Sequence, residues 1–253
     1  PKVAYDTQCK IASILEKCES AIQKRKEANR LTDEFLKSTF LEMFGDPLRN
    51  DKKLEKKRIE SLTSKKRHAI KRGPFGGSLK KEIFVKSGFK VYEQKNVIKK
   101  DFTIGTYYID KEKFEEMKAF TIKPEDILIS CSGTIGRLAI VPSNAEEGII
   151  NQALLKITLD KDKALPIYFK YIFEAESLQK YLFGYTHGSA MKNVTSVRYL
   201  KKIELPIATT KLQQKFANIV QKVETLKQRQ RESEKELDNL FHSLMQKAFR
   251  GEL

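Results

Sequence analysis

The stretch KLQQKFANIVQKVETLKQRQRESEKELDNLFHSL, residues 211–244, decides the fold. Within it Leu212, Phe216, Ile219, Val223, Leu226, Gln230, Ser233, Leu237, Leu240 and Leu244 recur by fours and threes. That is the rhythm of a long helix presenting one narrow stripe to a partner helix, with polar Gln230 and Ser233 at its middle. No Gly or Pro interrupts the run until Gly251, which fits a helix stop. At 1.5 Å per residue, about 36 helical residues reach roughly 54 Å. A stripe that long and thin cannot be buried by its own helix, so a partner with the same rhythm is required.

The chain supplies one. Shifting the sequence by 205 positions places Pro1 on Pro206, Gln8 on Gln213, Ala12 on Ala217, Ile14 on Ile219 and Lys17 on Lys222. The same register aligns Glu19 with Glu224, Glu27 with Glu232, Asp33 with Asp238, Ser38 with Ser243 and Phe44 with Phe249. These ten identities, all in one ungapped register, mark a duplicated segment. The corresponding stripe in the first copy is Ile11, Ile14, Cys18, Ala21, Arg25, Ala28, Thr32 and Phe35, closed by a stop at Gly45. Antiparallel pairing of the copies sets Gln230 and Ser233 against Arg25 and Ala28. The expected organisation is a helix over 1–46, an inserted domain over 47–205, and a second helix over 206–253 that pairs with the first.

The insert has a different texture. Strand-like runs fall at 90–93, 104–109, 126–130, 138–141 and 153–158, punctuated by Gly and Ser. An amphipathic helix fits Pro166–Phe183, with Phe169, Ile172, Phe173 and Leu182 near one face, and a shorter one fits Ser196–Lys201. The expected class is α+β: a mixed α/β domain on a twisted, mainly antiparallel sheet, at the tip of a long antiparallel two-helix coiled coil.

Composition narrows the function. The 253 residues carry 49 Lys+Arg against 33 Asp+Glu, a net charge of +16, so an acidic partner is expected and nucleic acid leads. Half of that surplus lies at 52–72, where ten basic residues meet two acidic ones. Either this run is a solvated face, or it tracks phosphates, with Lys65, Lys66, Arg67, Lys71 and Arg72 leading into a Gly-rich turn. Three Cys do not make a disulfide framework, and no apolar run reaches the roughly 18 residues of a membrane span. Membrane is therefore not an expected partner, and the cytoplasm is the expected location.

Catalytic patterns are missing from the sequence. There is no phosphate-cradling Gly-x-x-x-x-Gly-Lys-Ser/Thr loop, no His-Glu-x-x-His pair and no metal-ligand spacing among Cys9, Cys18 and Cys131. Triplets at Glu55–Lys57 and Glu116–Lys118 are what a Lys- and Glu-rich chain produces by chance. No enzyme, cofactor or metal is expected. Three polar loops remain as binding candidates: Gly73–Ser78, Ser132–Gly136 and Thr186–Asn193. Small residues in the first two let backbone N–H groups approach a phosphate, as would Ser78, Ser132 and Thr134, with Lys80 adding charge. Arg137 has the chemistry to pair with guanine, and Asn193 with adenine; His187, Ser189 and Lys192 complete the third loop.

Three segments together carry a resemblance: Lys71–Lys80 (KRGPFGGSLK), Asp126–Gly136 (DILISCSGTIG) and Gly148–Leu154 (GIINQAL). With Leu205-Pro206 before Gln213-Gln214, and the endings Met43–Pro47 and Ala248–Leu253, the insert resembles a target recognition domain of the DNA-specificity subunit of Type I restriction–modification systems. The helices resemble that family's conserved regions. The resemblance implies a non-catalytic subunit reading double-stranded DNA, each domain taking one half of a split target. It also implies docking to methyltransferase subunits, with restriction (translocase) subunits joining that core. Family members usually alternate two domains with two helices, whereas this chain has one domain between both. It is thus either the C-terminal half of a longer subunit or a half-subunit completed by a homodimer or a partner recognition half. Two rivals stand beside this reading: the recognition end of a fused restriction nuclease or methyltransferase, and a coiled-coil adaptor that does not bind DNA.

Overall fold

A computed structural model describes residues 4–184 and 196–250. In chain order the elements are α1 (Tyr5–Phe44), β1 (Glu55–Arg58), β2 (Ile70–Arg72), β3 (Phe89–Tyr92), α2 (Gln94–Lys99), β4 (Tyr108–Ile109), α3 (Lys111–Glu116), β5 (Ile127–Ser130) and β6 (Leu138–Ile140). Then follow β7 (Gly148–Ile150), β8 (Leu154–Ile157), α4 (Pro166–Glu174), α5 (Glu176–Gln179), a π-helical turn at Lys180–Gly184, α6 (Val197–Lys202), β9 (Glu204–Ile207) and α7 (Thr210–Arg250). Contacts divide the chain into a helical unit of Pro1–Glu42 with Asn218–Leu253 and a globular unit of Met43–Ala217.

In the helical unit α1 and α7 pair antiparallel. Asn29 Nδ2 donates to Glu234 Oε2 at 2.7 Å, Thr32 meets Gln230 at 3.5 Å, and Lys227 Nζ meets Asp33 Oδ1 at 2.7 Å, so one index rises as the other falls. The sequence register is right at every second position only. Cys18, Ile22, Leu36, Val220 and Val223 are buried, whereas Ile14, Phe35, Leu226 and Leu240 are 40–54 % exposed. The seam is therefore 11, 15, 18, 22, 25, 29, 32, 36 on α1 and 216, 220, 223, 227, 230, 234, 237, 241, 244 on α7. Half of the expected stripe moves by one residue, in the same direction in both copies. Both copies carry apolar residues at two adjacent positions, so periodicity alone does not choose between them. The chosen register brings polar seam groups together: Asn29 with Glu234, and Lys227 with Asp33 and Glu224, in place of the expected Ser233 opposite Ala28. Burial alone would lower the Lys227 ammonium, but the two carboxylates outweigh it and hold its pKa above the ordinary value.

Asn29 and Glu234 stand 205 positions apart, the offset of the duplication itself. Equivalent residues thus meet each other, and the helix pair has an approximate two-fold axis at that point.

The globular unit holds three small sheets where the sequence suggested one. Their orders are β1-β9, β2-β8-β5-β6 and β4-β3-β7, and every pairing is antiparallel except β3 with β7. Tyr92, Val97, Phe102, Leu128, Ala139, Ile150 and Leu154 form one core cluster, and Val91, Ile109, Phe114, Met117 and Ile149 a second. Burying that apolar area is the main stabilising contribution. The end of α1 is built into this unit, since the Phe44 ring lies edge-on to Tyr168 at 4.7 Å and to Phe216 at 5.5 Å. Gln213 is fully buried and satisfied: it accepts from Leu165 N and donates to Lys163 O and Ala208 O. The helix expected over 166–183 breaks at Ala175, whose ψ of 133° is extended. The Gln179 side chain donates to Phe173 O at 2.6 Å and satisfies a carbonyl at the break.

Candidate nucleic-acid interface

β2, β8 and β5 run side by side, with Arg72 opposite Leu155 and Ser130 opposite Leu154. One end of this sheet therefore gathers the segments that follow Arg72, follow Ser130 and precede Leu154. The contacts there are close. Gly73 N donates to Leu154 O at 2.9 Å, and Cys131 N donates to Ala153 O at 2.7 Å. Arg72 Nη2 reaches Cys131 O at 3.5 Å, while its guanidinium lies 4.9 Å from the Phe75 ring centre. A Cβ on Gly73 would sit 1.8 Å from Asn151 O, so only glycine lets the two backbones come this near.

The 131–136 loop is held in one shape by Ser130. Its hydroxyl donates to Thr134 O at 2.6 Å and accepts from Arg137 N at 2.9 Å, while Gly136 N donates to Ser130 O at 2.9 Å. Gly136 adopts φ +81°, and a Cβ there would lie 2.6 Å from the Phe183 ring. Phe183 belongs to the π-helical turn that leads into residues 185–195. The lead-in to the third candidate loop thus packs on the second, although His187, Ser189, Lys192 and Asn193 lie outside the described residues. Arg137 leaves this turn exposed, with its own backbone fixed on both sides of the hairpin by Ser130.

Not all the expected residues gather here. Ser132, Thr134, Arg137 and Arg72 do. Ser78 closes its own turn by donating to Phe75 O at 3.1 Å, and Lys80 is exposed one residue beyond that turn's 3-10 segment. Lys71 is half-buried, its ammonium 4.9 Å from the Phe120 ring centre. Lys65, Lys66 and Arg67 precede the other end of β2, near Thr158, so the strand separates them from the 131–136 loop. The basic run of 52–72 is not one surface. β1 carries Lys56, Lys57 and Arg58 into the sheet with β9, where Lys57 meets Glu55 and Arg58 meets Glu204.

Gln94 was not legible in the sequence. The first residue of α2, it donates through Nε2 to Thr134 O at 3.2 Å and borders Gly133. A polar residue opening a short helix carries no signal of its own, and only the fold brings it beside the loop.

Titratable groups at the two ends of this sheet depart from their ordinary values. Burial pushes the Cys131 thiol up to about 11, against the lowering effect of Arg72, so it is not a thiolate at neutral pH. Partial desolvation and the cations Lys71, Arg67 and Lys156 hold the His68 imidazole below its ordinary value. Among the described residues no group of three or more His, Cys, Asp or Glu converges as metal ligands would, and no helix is long and apolar enough to cross a membrane.

Residues 75–238 match the family model of the Type I restriction modification DNA specificity domain, well over half of the chain. The chain belongs to this family. The chain is 32% identical over 133 residues to a putative type I restriction enzyme specificity subunit of Haemophilus influenzae, a match covering 49% of this chain and 33% of the relative. Among solved structures it resembles the HsdS subunit of Thermoanaerobacter tengcongensis, with TM-score 0.59, 17% identity, and coverage of 97% of this chain and 57% of that one. A second structure, from work on complex assembly and conformational transition of the type I R-M system, gives TM-score 0.64 at 19% identity and covers 98% and 59%. The S subunit of M. genitalium gives 0.56 at 12% identity, covering 96% and 60%. The chain thus spans about a third of its curated relative and under two thirds of these solved chains. The α+β fold with two long helices matches that of the solved subunits.

Proposed function

We propose that the unit of Met43–Ala217 reads one half of a bipartite duplex DNA target, and that the α1–α7 pair is the element to which methyltransferase subunits dock and restriction subunits are joined. One observation carries the first part. The three segments Lys71–Lys80, Asp126–Gly136 and Gly148–Leu154 are distant in sequence, yet their ends meet at one edge of the β2-β8-β5 sheet.

In this reading exposed cations such as Lys80 neutralise phosphates, so affinity falls steeply with salt. Base reading falls to Arg137, whose backbone is held by Ser130, together with His187, Lys192 and Asn193 of the third candidate loop. The Ser130 hydroxyl limits the freedom of Arg137 at its root, which lowers the entropy lost on binding a base edge. A second recognition half, in another chain or in a second copy of this one, supplies the other half-target; a homodimer requires a symmetric one. The target lies in the cytoplasm, on the DNA that the assembled enzyme scans.

The test is the methylation pattern of DNA in cells carrying the chain with its methyltransferase subunits. Arg137→Ala should relax discrimination at one base pair by about 1–3 kcal/mol while leaving the other positions intact. An unchanged methylated sequence removes Arg137 from the reading set, and methylation without any sequence preference overturns the proposal.

A further inference from the structure

The segment Lys71–Lys81 (KRGPFGGSLKK) holds four cations, no acidic residue and one aromatic ring, that of Phe75. Phe75 is 65 % exposed, more than any other large apolar side chain of the globular unit among the described residues. An exposed Phe forgoes the stabilisation that burial of its ring would bring. The exposure here is not that of a slack loop. Gly73 N is fixed on Leu154 O, Pro74 is buried with its φ set by its own ring, and the Phe75 carbonyl accepts from the Ser78 hydroxyl at 3.1 Å. The backbone is pinned on both sides of a residue whose side chain stays outside.

What surrounds the ring decides its partner. The Arg72 guanidinium lies 4.9 Å from the ring centre and also reaches Cys131 O, so it stands between Phe75 and the 131–136 loop. Lys80 and Lys81 are exposed a few residues further on. An apolar pocket on a protein gains nothing from this cationic rim. A duplex has a use for both parts, since it offers stacked base faces to the ring and phosphates to the cations.

We infer that Phe75 is a wedge: its ring enters the duplex between two neighbouring base pairs, unstacks them and kinks the half-target. This rests on the reading of the Met43–Ala217 unit as a DNA reader. It adds a residue that senses how easily a base step opens, where Arg137 senses which base edges are shown. Unstacking costs least at the pyrimidine–purine steps TA and CA/TG. Phe75 therefore favours such a step in the half-target without a hydrogen bond to either base pair. The pinned backbone matters for this, because a wedge on a yielding loop would bend away before the bases parted. Leu in its place still wedges, whereas Ala does not.

The experiment binds the full chain, with its methyltransferase subunits, to a duplex carrying the target defined by the methylation pattern. Fluorophores at the two duplex ends report a kink, and 2-aminopurine placed at each position in turn brightens where its stack opens. One step should brighten on binding while the duplex ends approach each other. Exchanging that step for a stiff AA step should weaken binding by about tenfold. Phe75→Ala should abolish the brightening, the kink and the step preference; Phe75→Leu should keep all three. The urea midpoint of Phe75→Ala should match the parent's, because the ring is exposed, and its preference at the other target positions should survive. A kink that persists in Phe75→Ala, or a parent that prefers its target yet opens no step, overturns this inference alone. Loss of methyltransferase binding by Phe75→Ala with the kink retained assigns the ring to a protein contact and also overturns it. A parent with no sequence preference removes the DNA-reading proposal and this inference with it, so the two failures are distinguishable.

Discussion

Gly136→Ala is the substitution through which the geometry of the proposed reading surface is most directly tested. Two costs arise at once. The residue sits at φ +81°, where an L side chain costs about 1–2 kcal/mol. The new methyl would also lie 2.6, 2.8 and 3.0 Å from three Phe183 ring carbons, well inside van der Waals contact, and overpacking of that kind costs about 1–3 kcal/mol. The sum, about 2–5 kcal/mol, is a large share of the 5–15 kcal/mol that keeps a domain folded. The steric part is separable, because Phe183→Ala removes the ring and leaves the φ strain. Urea denaturation of the single and double variants should give a double variant that is less destabilised than the sum of the singles by about 1–2 kcal/mol. Target discrimination should also fall in Gly136→Ala, since Arg137 follows directly. Additive costs, or a Gly136→Ala protein as stable as the parent, would refute the packing of Phe183 on this loop. Gly73→Ala is the control: its obstacle is the Asn151 carbonyl, and no side-chain truncation should rescue it.

Gln94→Ala removes the donor to Thr134 O at the edge of the same loop. It should weaken discrimination in a binding-site selection by up to about 1 kcal/mol, with little change in urea stability. The triple variant Lys65→Ser, Lys66→Ser, Arg67→Ser alters residues on the far side of β2; the selected sequence should be unchanged and only the salt dependence of affinity should soften. A changed sequence preference there would place the reading surface at the wrong end of the sheet. In the helical unit, replacing Asn29 and Glu234 together by Leu should raise the urea midpoint by an equivalent of about 1–2 kcal/mol. The same change should loosen the pairing register, visible as altered distances between spin labels on α1 and α7; a drop in stability would contradict the partial burial of that pair.

What the sequence disclosed follows from how each element is stabilised. Strands buried on both faces, such as Ile127–Ser130 and Leu154–Ile157, show as apolar runs because burial selected their residues. Glu55–Arg58 is a strand only because β9 pairs with it; its EKKR sequence reads as a charged loop. Ile70–Arg72 likewise hides inside the basic run. The long helices were plain from their rhythm, but the inward face was not. Ile14 and Leu15, like Phe35 and Leu36, are apolar neighbours, and only contact with the other helix decides which turns in. At the proposed reading surface, Gly73 and Gly136 were legible as special positions. What they make room for, a carbonyl at Asn151 and a ring at Phe183, belongs to residues dozens of positions away. A run of positive charge was equally visible, yet strand pairing splits it between two sheets.

The meeting of Asn29 with its own counterpart Glu234 has an arithmetic consequence. A half-turn about that point carries Ile14 to the place of Ile219, Lys17 to that of Lys222 and Lys24 to that of Arg229. The outer patch of Ile14, Lys17 and Lys24 therefore has a near copy on the other helix, facing the same flank but pointing the opposite way along it. A partner that recognises one patch is offered two by a single chain, so titration should saturate at two equivalents rather than one. If the two partners touch each other, the first to arrive raises the local concentration for the second, and tight assembly follows without either contact being strong.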